Sequence, residues 1–167
     1  MLVKIISQQQ TLPLRKKVLR PNQPIESCYF SEDKYIDTFH LGVFVGGEIV
    51  STGTFCRESS PHFTNAHQYR LRGMATAEGF RGLGCGALIV REGERLILGK
   101  HQSDRRIDHS HGGTIHSQQA HDSNILIWFN AREAAFGFYQ KLGYEFHGEL
   151  FQIPISGPHK VMFRKIS

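Results

Sequence analysis

The sequence predicts an α/β (α+β) fold in which a mixed sheet carries helices, and three observations carry that prediction. Gly46-Gly47 separates two apolar, β-branched runs, the two-residue loop of a tight antiparallel hairpin. Over residues 84–98 the apolar spacing becomes helical, with Ala87, Val90 and Ile97 on one face and Ile89 and Leu96 beside them. Residues 125–129 then form a continuous apolar run short enough for a buried strand, followed at once by a second helical pattern.

Taken in order, residues 2–6 are β-branched and apolar and read as a first strand. Residues 11–19 read as a helix capped by Thr11, with Pro13 in its first turn and Leu14 and Val18 four apart on its apolar face. Pro21 ends it, and residues 21–37 read as a long irregular connection. The hairpin strands cover 39–45 and 48–55, and residues 68–76 supply a third strand before the helix at 84–98. Residues 99–123 hold five histidines (His101, His109, His111, His116 and His121) among polar residues, and read as a surface insertion. Asn130-Ala131-Arg132-Glu133 fits a capping box with Asn130 at the N-cap. Ala131, Ala135, Phe138 and Leu142 would line the helix that follows, and Gly143 would end it in a left-handed conformation. Residues 144–146 and 160–166 read as closing strands.

The chain has 167 residues, 40% hydrophobic and 21% charged, suited to one domain with one core. No apolar run is long enough to span a bilayer, and residues 1–8 lack the features of a signal peptide, so a cytoplasmic protein without membrane partners is expected. Cys28, Cys56 and Cys85 show no paired spacing, which indicates neither a disulfide framework nor a zinc ribbon. The formal charge of +5 suggests an anionic partner. The basic residues are dispersed and lack interleaved aromatics, so a cofactor suffices and nucleic acid is not required.

Arg81-Gly82-Leu83-Gly84-Cys85-Gly86 joins a strand to a helix. A helix start offers free backbone N–H groups and the positive end of a dipole, and glycines let a phosphate come close. By themselves three glycines fit an unliganded turn equally well. No Gly-Lys-Ser or Gly-Lys-Thr triplet of a P-loop is present. Gly82 to Ala87 does match G-x-G-x-x-A, but no strand runs straight into Gly82 and no acidic strand end follows about 20 residues later, so the dinucleotide reading fails on context.

The same six residues fit R/Q-x-x-G-x-G/A, and Leu71-Arg72-Gly73-Met74-Ala75-Thr76 fits the strand before it. Downstream, Asn130-Ala131-Arg132, Ala135, Phe138-Tyr139 and Lys141-Leu142-Gly143-Tyr144 fit N-A-R-x-x-A-x-x-F-Y-x-K-x-G-F/Y. With these two ordered signatures, residues 39–166 resemble the GNAT N-acetyltransferase superfamily, in a bacterial small-molecule branch. The resemblance implies a mostly antiparallel sheet in which two parallel strands splay apart and receive pantetheine between residues 74–76 and 125–129. It also implies acetyl-CoA as acyl donor and a small-molecule or peptide amine as acceptor, and it leaves a homodimer open.

On this resemblance, the Met74 backbone N–H faces the thioester carbonyl and Ala75 and Thr76 hold pantetheine. Arg81, Gly82, Leu83, Gly84, Cys85 and Gly86 surround the pyrophosphate, with Asn130 and Phe138 also against the cofactor. Tyr139 gives a proton to the sulfur; a tyrosine is protonated at neutral pH, as that role requires. Outside the signature, Tyr139 would read as a core aromatic and Asn130 as a cap. Cys85 occupies an unspecified position of the signature, so a nucleophilic thiol is not expected. A glutamate base of the histone-acetylating branch is replaced here by Arg72, leaving Glu149, His159 and His40 as candidate bases. Asp108-His109-Ser110-His111 could offer metal donors, but no ordered ligand set is evident and no metal is expected. The missing carboxylate base keeps one alternative open, a non-catalytic acyl-CoA-binding sensor or interaction module.

Overall fold

Gly46 and Gly47 both adopt positive φ, 59° and 88°, and turn the chain between β2 (Phe39–Val45) and β3 (Glu48–Arg57). The computed structural model describes residues 1–108 and 125–167. Its other strands are β1 (Leu2–Ile6), β4 (His67–Thr76), β5 (Ile125–Arg132), β6 (Glu145–Ile153) and β7 (Gly157–Ile166). All seven form one sheet in the order β1-β2-β3-β4-β5-β7-β6, and every neighbouring pair is antiparallel except β4 with β5. The expected mixed, mostly antiparallel sheet with helices on it is therefore the observed one.

The parallel pair is short. His67 to Arg70 lie opposite Ile125 to Trp128, and no pairing continues as β4 runs on to Thr76 and β5 to Arg132. A bulge contributes to the divergence: the β3–β4 register shifts between Thr52 and Thr54, beside Gly73, whose φ is 63°. A Cβ on Gly73 would stand 2.8 Å from Arg15 Nε, so only glycine fits both the twist and the close packing there.

The helix α2 (Cys85–Asp108) lies against β2 and β3, burying Cys85, Ile89, Val90 and Ile97. Two glycines permit that approach. A Cβ on Gly93 would fall 2.0 Å from the Phe55 ring, and one on Gly53 would fall 2.6 Å from both Ile89 and the Met74 sulfur. Leu41, Val43, Phe55, Leu71, Ile127 and Met162 complete the same core.

Several boundaries differ from the sequence expectation. The first helix starts earlier: α1 (Gln8–Leu14) is capped by Ser7, whose hydroxyl accepts from the Gln10 amide while the Gln10 side chain accepts from the Ser7 amide. Thr11 is buried within it, and Pro13 lies inside rather than in the first turn. A π-helical turn follows at Arg15–Leu19, and residues 21–37 include 3₁₀ turns at Ile25–Cys28 and Ser31–Lys34. The helix expected to end at residue 98 continues to Asp108, so the first part of the proposed insertion is helical; residues 109–123 lie outside the described residues. Asn130 is not an N-cap. It lies within β5, which reaches Arg132 before a 3₁₀ turn at Glu133–Ala135 and α3 (Phe136–Lys141), because pairing with β7 holds residues 130–132 extended. The closing strands are also longer than expected, and β7 includes Gly157 and Pro158.

Candidate active site

Where β4 and β5 part, a cleft of about 320 Å³ opens, bounded by Leu71 to Met74, Phe129 to Arg132, Tyr139 and His159. Past the end of β4, a 3₁₀ turn at Glu78–Phe80 leads into the glycine loop. Gly82 and Gly84 take φ of 77° and 84°, and nothing lies within 4 Å of where a Cβ would be on either. Among the described residues, no hydrogen-bond acceptor takes the amides of Gly82, Leu83 or Gly84. These open amides precede the first turn of α2, so an anion finds both unpaired donors and a helix dipole there. Arg81 is exposed and its Nε donates weakly to Thr76 O at 3.4 Å. These residues fit a pyrophosphate of the kind coenzyme A carries.

The other predicted residues are placed as follows. Phe138 leans over the same helix start, its ring atom 3.1 Å from the position of a Gly86 Cβ. Cys85 points the other way, 1% exposed with its Sγ 3.5 Å from the Met1 sulfur, in keeping with a structural thiol. Met74 is among the residues lining the cleft, and its side chain turns toward Gly53 and Gly86. Ala75 is buried, and the Thr76 hydroxyl lies 2.8 Å from that of Ser51.

Tyr139 packs its ring against Phe129, Phe138 and Tyr144, with centroids 4.3, 4.8 and 6.0 Å away. Its hydroxyl makes no hydrogen bond to a described residue, and burial pushes its pKa well above the ordinary value. It lines the cleft as a neutral O–H group. His159, also buried, holds Nδ1 2.8 Å from Gly157 O. A carbonyl only accepts, so Nδ1 is the donor here, and in the neutral ring that leaves the lone pair on Nε2.

The remaining candidate bases lie elsewhere. Glu149 is exposed on β6 and lines a second cavity with His62, His147 and Trp128; Asn130 lies between the two cavities and touches both. His40 is buried on β2, with Nδ1 2.8 Å from Thr54 Oγ1 on β3, a hydrogen bond to the Asp33 backbone, and a pKa lowered by burial. The structure thus brings His159 together with Tyr139 and Met74, and leaves Glu149 and His40 out of the cleft.

Sequence reasoning missed the framework that holds the near wall. Arg15 is fully buried; its Nη1 donates to Asp33 Oδ2 at 2.6 Å and Cys28 O at 2.9 Å, and its Nη2 to Asp33 Oδ1 at 3.0 Å and Thr54 Oγ1 at 2.7 Å. Burial opposes ionisation of Asp33, but Arg15 and the Phe30 amide outweigh it and hold the carboxyl below its usual range. Arg72 pairs with Glu32, and the guanidinium carbons of Arg15 and Arg72 sit 4.3 and 4.2 Å from the Phe30 ring centroid. Arg72 therefore faces the cleft as a neutralised cation and takes no part as a base. The one available signal was the acidic pair Glu32-Asp33 in an otherwise irregular stretch.

A sheet opened at its one parallel pair, with a glycine loop beyond it, is the architecture of the N-acetyltransferases. Escherichia coli ElaA superposes with a TM-score of 0.66 at 17% identity, over 98% of each chain. An aminoglycoside 6'-N-acetyltransferase complexed with coenzyme A superposes with a TM-score of 0.67 at 12% identity, over 99% of this chain and 97% of that one. No family model matches the chain. In sequence it is 37% identical over 164 residues to the uncharacterized N-acetyltransferase YitI of Bacillus subtilis (strain 168), covering 98% of this chain and 95% of that protein. The chain belongs to the GNAT superfamily of N-acetyltransferases.

Proposed function

We propose that the protein transfers an acetyl group from acetyl-CoA directly to a primary amine of a small molecule or peptide. The observation that carries this reading is the unpaired stretch of β4 and β5 beyond Arg70 and Trp128, continuing into the open amides of Gly82, Leu83 and Gly84. The backbone of Met74 to Thr76, without a partner strand on its β5 side, suits an extended pantetheine arm, and the glycine loop with Arg81 suits its pyrophosphate. Gly86 and Phe138 bound that route, and Asn130 lines the β5 side.

Acyl transfer in this cleft needs a neutral amine, a polarised carbonyl and a proton for the leaving sulfur. The His159 Nε2 takes the amine proton, directly or through one water. The Met74 N–H stabilises the charge that develops on the carbonyl oxygen as the new C–N bond forms. As the C–S bond breaks, Tyr139 gives its proton to sulfur, and the proton held by His159 later restores the hydroxyl through solvent. Coenzyme A supplies the activated thioester; the chain supplies orientation and proton movement.

Calorimetric titration with acetyl-CoA, followed by a thiol-release assay over an amine panel, tests the reading. Saturable binding weakened in Arg81→Glu, with acetylated product, is expected. Absence of binding by the folded protein overturns it. Tight binding with no transfer to any amine favours a non-catalytic acyl-CoA-binding module instead.

A further inference from the structure

Among the described residues, the cleft between β4 and β5 is lined by four arginines, Arg20, Arg70, Arg72 and Arg132, and by no aspartate or glutamate. Two are neutralised from behind: Arg70 pairs with Glu58 at 2.6 Å, and Arg72 with Glu32. Arg20 and Arg132 have no carboxylate partner among the described residues. Each is half-buried and spends a donor on one neutral acceptor, Arg20 on Gln23 Oε1 at 3.1 Å and Arg132 on the Leu19 carbonyl at 3.1 Å. A guanidinium has five N–H donors, so most of theirs remain available. They reach the cleft from different elements, the end of the π-helical turn and the end of β5. Arg132 reaches the carbonyl of Leu19, the residue before Arg20, and burial, then the positive charge of Arg20, lower its pKa.

Holding two like charges together in a partly desolvated cleft costs free energy unless an anion joins them. We infer that Arg20 and Arg132 form an anion clamp, and that the acceptor is an amine carrying a carboxylate or phosphate group. This rests on the acetyl-transfer reading for the amine, but the clamp itself does not. The clamp orients such an acceptor through paired guanidinium hydrogen bonds, with its amine toward His159. A polycationic amine meets the same charges as repulsion.

Two measurements test the inference, and only the second depends on acyl transfer. Thermal shift is read with succinate, 4-aminobutyrate, inorganic phosphate and O-phosphoethanolamine, on the wild type, Arg20→Gln, Arg132→Gln and Arg81→Gln. Saturable stabilisation that is lost in the first two variants and retained in Arg81→Gln is expected; the stronger of the carboxylate and phosphate series identifies the anion. No saturable shift in the wild type, or equal shifts in all four proteins, overturns the clamp even if acetyl-CoA binds normally. Second, kcat/KM is compared for 4-aminobutyrate against 4-aminobutanol, O-phosphoethanolamine against ethanolamine, and spermidine. An anionic member preferred by about tenfold or more, falling to near parity in Arg132→Gln, is expected. Equal or better use of the neutral or cationic amines overturns the inference, whereas lack of all transfer despite the anion shift counts against the acetyl-transfer reading alone.

Discussion

Tyr139 and His159 line the same cleft, and in the proposed reaction the first would supply a proton and the second would receive one. Burial raises the Tyr139 pKa above the ordinary 10.0, so the hydroxyl stays protonated across the neutral and mildly alkaline range. Tyr139→Phe should lower kcat by about 10²-fold or more, while acetyl-CoA affinity measured by calorimetry stays nearly unchanged, since only a positioned acid is removed. Equal turnover by the two proteins would eliminate the tyrosine as the acid. His159→Gln preserves a polar side chain but removes the base. Its kcat/KM should fall while acetyl-CoA affinity measured by calorimetry stays nearly unchanged, a split that a purely structural histidine would not produce. Of these two residues the second signature pointed to Tyr139 through its sequence neighbours. His159 stayed one candidate among three, because only tertiary placement separates it from Glu149 on the neighbouring cavity and from His40, buried on β2 against Thr54.

At the scale of elements, the cleft exists because α1, the π-helical turn and the 31–34 turn are fastened to the bulged part of β4. The Arg15–Asp33 pair is that fastening, fully buried and two-pronged. Removing one partner leaves the other charge buried, so Arg15→Met should destabilise by about 3–5 kcal/mol in urea unfolding. A change below about 1 kcal/mol would mean that the pair is not buried as described. On the other face of the sheet, Gly93 lets α2 settle on the Phe55 ring. Gly93→Ala should cost about 1–3 kcal/mol by overpacking, despite the better helix propensity of alanine. The strands, the hairpin turn and the period of α2 were legible in the sequence because local chemistry determines them: glycine conformations, apolar alternation and helical spacing. The extension of β5 through Arg132 was not, because Asn130-Ala131-Arg132-Glu133 satisfies a capping pattern and only the β7 ladder overrides it. Nor was the Ser7 cap, one turn ahead of the more conspicuous Thr11 and Pro13. The anionic hold on Arg15 and the unneutralised pair Arg20 and Arg132 join residues far apart in the chain, beyond the reach of any periodicity.

For the whole molecule, the buried titratable groups define a pH window of stability with two edges. On the acid side, burial lowers His40 below its ordinary 6.5, so the unfolded chain gains a proton first as pH falls and stability begins to decline there. Glu32 and Asp33 add to this at lower pH. Burial opposes ionisation of both, but the hydrogen bonds each accepts outweigh it and depress them below 4.5 and 3.8, so their stabilisation is present above those values and lost beneath them. Protonating Asp33 also strips the buried Arg15 of its counter-charge. On the alkaline side the order reverses. Burial, with Glu58 adding to it, pushes the Cys56 thiol up from 9.0 to about 12, and burial raises Tyr139 and Tyr144 above 10.0. Below pH 9 these groups are protonated in both states and their stabilisation is fully present. Above it the unfolded chain releases protons that the folded chain retains, so stability falls progressively toward pH 12. Chemical unfolding measured from pH 4 to pH 11 should therefore show a plateau between about 6.5 and 9 with a decline on each side. His40→Gln should flatten the slope between pH 6.5 and 5 specifically, and Cys56→Val the slope just above pH 9. A wild-type curve that stays level to pH 11 would contradict the burial of Cys56 and of Tyr139.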